Sequence, residues 1–400
     1  MERGDWDVVV VGAGLGGLLC AAELAGWGHR VAVLESAAQV GGRGGSELRE
    51  GQWVDRGGHA VFAHGHLHRA LRRHGLEEAT VPVPTTGVQV RVGGVAHALS
   101  VGGLWSARWL SSRDRRALAG FLSRLVVGSG DTLHDRLLAP MPLGPGRDLA
   151  EAMVRISTYC GRPDLLGSAA LPHLRRALGT GVRYVHGGWQ SLAEALVGVI
   201  EEAGGRVERN ARVREVSPRA VSTRDATFRA RQVVLAVPRG ALRRLGGASA
   251  PLARTEGAVG ALSVVLPRSV VPSQPRAVIS LDHPTFLVNF GAVVSLGAPD
   301  GTVVQVTHYR PGEGAEAEAL AAVDDWCPGW RAHGTHRWMP RISAHTALPG
   351  VGWRPLPMTL EGGLLWVAAD TGDGLLADAV ASSARTAAGR AHQALVRSAA

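Results

Sequence analysis

The stretch DVVVVGAGLGGLLCAAELAGWGHRVAVLESAAQVGGR, from Asp7 to Arg43, constrains this chain more than any other. Val8 to Val11 form a β-branched run of the kind that makes a strand buried on both faces. Gly12, Gly14 and Gly17 follow in G-x-G-x-x-G spacing, with Gly16 beside the last, and open a helix through Leu18, Leu19, Ala22 and Leu24. The first glycine permits a tight turn, the second lets a pyrophosphate approach the backbone, and the third lets helix pack closely on strand. The helix N-terminus adds unpaired N–H groups and a positive dipole end. Val31 to Leu34 make the second strand, and Glu35 ends it, 18 residues past Gly17. A carboxylate there accepts hydrogen bonds from both ribose hydroxyls of an adenosine. Ser36 and Ala37 bring no basic side chain for a 2′-phosphate. The stretch predicts a site for a non-phosphorylated dinucleotide.

Two alternatives compete with that reading. A chain with 54 glycines can produce the spacing by chance, but not with strand, helix and acid all in register. The apolar run from Val8 to Ala22 is too short to span a bilayer, and Glu2, Asp5 and Asp7 precede it where a signal sequence carries basic residues. At 400 residues and 46% hydrophobic, the chain can bury a large core shared by two intertwined domains. Cys20, Cys160 and Cys327 are far apart, which gives neither a metal site nor a disulfide framework and fits a reducing cytoplasm. The net charge of +9 comes without a single lysine. The arginines are scattered among acids with no basic block, so nucleic acid is not an expected partner.

Beyond Glu35 come Val40-Gly41-Gly42-Arg43 and then Trp53-Val54-Asp55-Arg56-Gly57-Gly58-His59. Paired glycines let backbone pass close to a bulky planar ligand, and Arg43 can neutralise a phosphate with fixed geometry. With these segments in this order, the chain resembles the flavoprotein superfamily of phytoene desaturases, amine oxidases and protoporphyrinogen oxidase, most closely its phytoene-desaturase-like branch. The resemblance implies an α/β fold, with a Rossmann-like FAD-binding domain interleaved with an α+β substrate domain built on an antiparallel sheet. It implies non-covalent FAD, with Gly42 and Arg43 along the pyrophosphate and ribityl chain and Gly57 and Gly58 against the isoalloxazine. Val213 would touch the adenine through its backbone, and Asp370 would bond a ribityl hydroxyl. The helix after Asp370, carrying Ala379, would point its dipole at the flavin carbonyls. Ala369 stands where the family has glycine.

The domain boundaries expected on this basis are 1–75, 180–245 and 356–400 for the FAD-binding part, and 76–179 and 246–355 for the substrate part. Residues 76–100 read as extended, Leu104 to Leu138 as a basic helical run, and Leu149 to Tyr159 and Asp164 to Leu178 as further helices. That basic run fits a core-facing helix pair, a lid or a peripheral membrane contact, the first being the commonest outcome. A helix from Ser191 to Ala203 precedes a strand from Arg206 to Val213, and a second strand runs from Arg231 to Pro238. The segments Leu262–Leu266, Phe286–Phe290 and Val303–Tyr309 read as strands and Glu313 to Trp326 as a helix. A strand from Leu364 to Ala369 and a helix to Val396 close the chain.

His64, His66, His68 and His74 cluster among Arg69, Arg72 and Arg73, which reads as a solvated helix rather than a metal site, because the arginines repel a cation. No metal is expected. His59, Tyr309 and Arg354 are the candidate catalytic side chains, and Trp338 and Trp353 are candidate pocket walls. The resemblance implies an FAD-dependent oxidoreductase that removes hydride from a lipophilic small molecule by C–C or C–N desaturation, in specialised metabolism. Family amine oxidases commonly place a lysine near the flavin, and this chain has none. An amine or amino-acid oxidase working without it, a redox-neutral isomerase or cyclase, and a non-catalytic escort protein stay open.

Overall fold

The computed structural model describes residues 2–100, 103–105, 107–125, 132–245, 257–346 and 348–398. Its first sheet is built around β1 (Glu2–Val11) and β2 (Val31–Leu34), which run parallel with Val8 opposite Val31 and Val11 opposite Leu34. Helix α1 (Leu15–Gly26) makes the crossover between them. The strand Arg206–Glu208 joins the free edge of β2, and Thr227–Leu235 joins that of β1, both parallel. The short strand Leu365–Trp366 extends the parallel set, while Ala220–Ser222 and Glu215–Ser217 add an antiparallel flank.

Strand periodicity explains why the β1 run is apolar without a break. Val8, Val10, Val31 and Val33 pack into one core with α1 and the long C-terminal helix Leu376–Arg397. Val9, Val11, Ala32 and Leu34 point to the other face, among Phe228, Leu242 and Trp366. Both faces are covered, so no polar alternation remains. The carboxyl ends of the parallel strands lie at one edge, which brings Gly12, Glu35, Ala236 and Asp370 to one side of the sheet.

The second sheet has strand order Thr335–His345, Gly257–Pro267, Gly301–His308, Thr285–Asn289, Ala277–Ser280, Val88–Val92 and Val95–Leu99. It departs from the expected antiparallel sheet at one junction, where Ala277–Ser280 pairs parallel with Val88–Val92. Leu262, Val264 and Val304 on one face pack under the helix Ala315–Trp326, and Val265, Val288 and Val303 face the other way.

The expected helical run from Leu104 to Leu138 is broken. Among the described residues a 3-10 turn covers Gly103–Trp105, an α-helix covers Ser112–Arg124, where Ser111 and Asp114 make a reciprocal capping box, and a π-helical turn covers His134–Leu138. Residues 106 and 126–131 of that run lie outside the described residues. The helix Pro145–Thr158 starts earlier than expected because Pro145 sits at its first position, where its missing N–H costs nothing. The segment from Asp164 to Leu178 divides into short turns and the helix Leu171–Gly179. The strand expected to reach Val213 stops at Glu208, because Asn210 turns left-handed and the Ala211 N–H bonds to the Glu35 carbonyl at 2.7 Å. Among the described residues no helix is long and apolar enough to cross a membrane.

Candidate active site

A cleft of about 1360 Å³ opens between the two sheets, running from the carboxyl edge of the first to the strand Thr335–His345 of the second. Ordinary ligand pockets hold roughly 300–1,000 Å³. There is room for a dinucleotide and a second molecule.

At one end, the glycines build a cradle of bare backbone. Gly12 has φ +101°, and a Cβ there would lie 2.5 Å from the Ala236 carbonyl oxygen. A Cβ on Gly17 would collide with the Gly12 carbonyl, so Gly17 sets the contact of α1 on β1 and lies beneath the cleft rather than in its wall. Gly14, Gly16 and Gly42 do line it. The second glycine segment crosses the first: the Gly41 N–H bonds to the Ala13 carbonyl at 2.8 Å, and a Cβ on Gly42 would stand 3.2 Å from Gly14 Cα. Arg43 is thereby brought to the start of α1. Glu35 is fixed by two N–H donors, from Ala13 at 2.8 Å and from Ala37 at 2.9 Å, one to each carboxylate oxygen. Oε1 also accepts the Ser36 hydroxyl at 3.1 Å, so Oε2 is the oxygen that keeps a lone pair for a ribose hydroxyl. Val213 joins the wall from the loop beyond Glu208.

Asp370 and Ala379 also reach the cleft. Asp370 is buried and bonded to a partner the sequence did not suggest: Arg239 Nη2 lies 3.0 Å from its carboxylate. Arg239 follows Pro238 at the end of the strand Thr227–Leu235, the position where a basic side chain reaches the carboxyl edge of the sheet.

The other end is organised by Gly57 and Gly58. Gly57 has φ +130° and packs against Ile342. A Cβ on Gly58 would collide with the Tyr159 hydroxyl and stand 3.1 Å from Thr307 Oγ1. Tyr159 caps the helix Pro145–Thr158 at φ 52°, a left-handed conformation that is uncommon for a bulky residue. Burial pushes its phenol up to about 12, against a hydrogen bond with Thr307. The hydroxyl is thus a neutral donor at any ordinary pH.

His59 lines the cleft beside Gly58, its ring 4.8 Å from that of Trp189. Burial lowers its pKa, opposed by the neighbouring Asp55 and by a hydrogen bond to the Arg43 backbone. Its Nε2 is buried without a partner. The bond to Arg43 therefore belongs to Nδ1–H, which leaves a free lone pair on Nε2. Asp55 is structural. It accepts the Ser46 hydroxyl at 2.5 Å and the Trp189 N–H at 3.0 Å, so it holds the N-terminus of the helix Gly188–Glu202.

Of the other side chains singled out in the sequence, Trp338 and Trp353 stand in the cleft wall. Tyr309 does not. It is buried behind Tyr159, with ring centroids 5.9 Å apart, just past the end of the strand Gly301–His308. Arg354 is exposed and lies outside the lining. Tyr159, Phe62 and Leu375 are walls that local pattern does not single out, since Tyr159 comes from a helix end and Phe62 from a two-residue strand. His66 and His68 do lie on a helix, His66–Arg73. Among the described residues no group of three or more His, Cys, Asp or Glu side chains could hold a metal ion.

A family model described as flavin containing amine oxidoreductase matches residues 15–391. Prolycopene isomerase 2 of an Oncidium hybrid cultivar is 37% identical over 91 residues, 21% of this chain and 16% of that protein. L-amino acid dehydrogenase of Synechocystis sp. is 36% identical over 86 residues, 21% of this chain and 18% of that protein. The chain thus matches less than a fifth of the length of these curated relatives. An oxidoreductase from Methanosarcina mazei superposes with a TM-score of 0.75 at 19% identity, covering 95% of this chain and 99% of that one. Identity that low shows a shared fold.

Proposed function

Because the chain belongs to the flavin containing amine oxidoreductase family, we propose that it is an FAD-dependent oxidoreductase that removes hydride from a C–H bond of a small, largely apolar molecule, desaturating a C–C or C–N bond. The observation that carries this reading is one continuous cleft, with the glycine cradle and Glu35 at one end and, beyond them, His59 and Tyr159 among the apolar walls of Phe62, Ile342, Leu375 and Trp353. The cradle fits FAD: its backbone approaches, at Gly12 and Gly42, have no space for a Cβ, and Glu35 presents an oriented carboxylate. Arg43 and the N-terminus of α1 would take the diphosphate. When bound, FAD supplies a hydride acceptor.

The chain's own residues divide the remaining work. Phe62, Ile342, Leu375 and Trp353 give the substrate an apolar, water-poor bed. Tyr159 donates from a neutral hydroxyl and so orients the substrate at Gly58. The lone pair on His59 Nε2 receives the proton that leaves with the hydride. An imidazole held neutral by burial suits that role, in a chain without a lysine. The prolycopene isomerase relative supports a second reading, redox-neutral isomerisation at the same centre.

The test begins with the visible spectrum of the purified protein and of its supernatant after acid precipitation. Flavin bands that pass into the supernatant are expected. A protein that is colourless and takes up no added FAD would overturn the reading. Turnover that needs no electron acceptor would move the isomerase reading ahead.

A further inference from the structure

The end of the cleft away from the glycine cradle is positively charged beyond any need of the dinucleotide. Arg56, Arg337 and Arg341 line it there, against one acid, Glu47. Glu47 is bracketed by two guanidiniums: Arg56 Nε stands 3.4 Å from one carboxylate oxygen, and Arg337 Nη1 bonds the other. A carboxylate with four lone-pair sites cannot satisfy two forks of five N–H donors each. The trio keeps a net positive charge and spare donors. It also stays open to the cleft mouth, with side chains 45%, 40% and 33% exposed for Arg56, Arg337 and Glu47.

These residues come from two rigid elements. Glu47 is on the hairpin of Ser46–Arg49 with Gln52–Asp55, and Arg56 follows its second strand. Arg337 is on the edge strand Thr335–His345, paired with Ser263 of the neighbouring strand Gly257–Pro267. Ile342, five residues further along the same strand, packs on Gly57 beside His59. At ~3.3 Å per residue, Arg337 is rooted roughly 15 Å along the strand from Ile342, and Arg56, which precedes Gly57, sends its long side chain back to the same Glu47. The apolar Met339 and Ile342 line the way between.

We propose that the substrate is a long amphipathic acid, with an anionic head received by Arg337 and Arg56 at the cleft mouth and an apolar body that carries the reacting bond toward His59 and Tyr159. This deepens the proposed function and rests on it for the position of the reacting bond. An α-amino acid is too short, since its carboxylate would stand beside the bond that reacts. A neutral hydrocarbon would bring Arg56 and Arg337 no charge beyond the Glu47 they already share. Arginine suits the head group because its planar fork matches a carboxylate bidentately.

Three probes of one chain length test this: dodecanoate, its methyl ester and dodecylamine. Binding is read from quenching of the cleft tryptophans Trp189, Trp338 and Trp353 in the flavin-loaded protein, alongside the flavin band. Dodecanoate should bind at least about tenfold tighter than the ester, the worth of one charge-assisted hydrogen bond, with dodecylamine weakest. Arg337→Gln should remove that preference, and 0.5 M salt should reduce it. Glu47→Gln should strengthen dodecanoate binding by freeing the two guanidiniums, a gain that a misfolded variant could not mimic. Equal binding of acid and ester to the wild type, or a Glu47→Gln variant with unchanged affinity, would overturn the anionic-head proposal. If flavin is bound normally in that outcome, the oxidoreductase reading survives. If no flavin is taken up but dodecanoate is still preferred, the converse holds.

Discussion

Arg239 and Asp370, 131 residues apart, meet at 3.0 Å on the cleft wall, the acid 2% exposed and the guanidinium 16%. The pair joins the end of the strand Thr227–Leu235 to the turn before the last helix, two segments that flank the dinucleotide cradle. Removing one partner of a buried ion pair leaves the other charge unpaired, at a cost of about 3–5 kcal/mol. Arg239→Met takes the guanidinium from a carboxylate that has almost no access to water, whereas Asp370→Asn keeps an acceptor oxygen for a guanidinium that has more access to water. Arg239→Met should therefore destabilise the protein more than Asp370→Asn. Both should weaken FAD binding if Asp370 also serves the ribityl chain. Thermal melts and FAD titration of the apoprotein check this. Equal melts for the two variants would remove the pair from the account.

Gly58 and Tyr159 compete for one volume. A Cβ at position 58 meets the phenol oxygen first, then Thr307 Oγ1 at 3.1 Å. Gly58→Ala should cost about 1–3 kcal/mol by overpacking and displace the Tyr159 ring from the cleft. Tyr159→Phe removes the colliding oxygen, so the double variant should recover stability relative to Gly58→Ala alone. Turnover should not recover, because the donor is then missing. A double-mutant cycle on melting temperature and kcat separates the two effects. Additive stability losses would show that the collision is relieved elsewhere.

Where one local stretch carries both pattern and site, the sequence is legible. Gly12, Gly14 and Gly17 sit in one turn, and Glu35 ends the next strand, so spacing alone brings them together. Asp370 is readable as the acid at a strand end, yet its partner Arg239 is not, because that contact depends on the packing of two distant segments. Tyr159 is hidden for a similar reason. It ends a helix in the 76–179 region and reaches the cleft only through a left-handed cap. Tyr309 and Arg354 read as candidates for the site, but Tyr309 lies just past the strand Gly301–His308 and Arg354 in irregular backbone, where no periodicity tells which way a side chain points. Pattern also overextends two elements. The strand from Arg206 ends at Glu208 because Ala211 bonds to Glu35 instead, and the run from Leu104 is polar and apolar in helical rhythm without forming one helix.

Glu35 gives a test of the dinucleotide end that does not depend on the substrate. Both of its oxygens already accept backbone N–H groups, from Ala13 and Ala37. Glu35→Gln keeps one acceptor oxygen and presents an amide to the other donor, whereas Glu35→Ala removes both contacts and the ribose acceptor together. FAD affinity should fall in both variants and further in Glu35→Ala, by at least about tenfold for the loss of charge-assisted bonds. Fluorescence of released flavin on dilution measures this. Unchanged affinity in Glu35→Ala would mean that the ribose is held elsewhere.

The last prediction concerns acid. His173 and His345 both bond backbone carbonyls in the last turn of the helix Pro145–Thr158, at Ser157 (3.0 Å) and Thr158 (2.6 Å). Burial lowers His173 to about 3 and His345 to about 4. In the unfolded chain each titrates at its ordinary value of about 6.5. As pH falls through 6.5 the unfolded state takes up protons that the folded state refuses, so stability is full above that value and lost on the way down to about 4 and then 3. The combined loss has an upper bound of about 8 kcal/mol, reached only near pH 3, since each tenfold difference in proton affinity between the two states is worth about 1.4 kcal/mol. Tyr159 follows directly on Thr158, so protonation should also release the residue that orients the substrate. Melting temperature recorded from pH 8 to pH 4 should fall most below pH 6.5. His173→Gln should start lower and fall less steeply, since one of the two titrating groups is gone. Parallel slopes for wild type and variant would assign the acid sensitivity to other groups, and would separate the stability of this helix end from the chemistry at Tyr159.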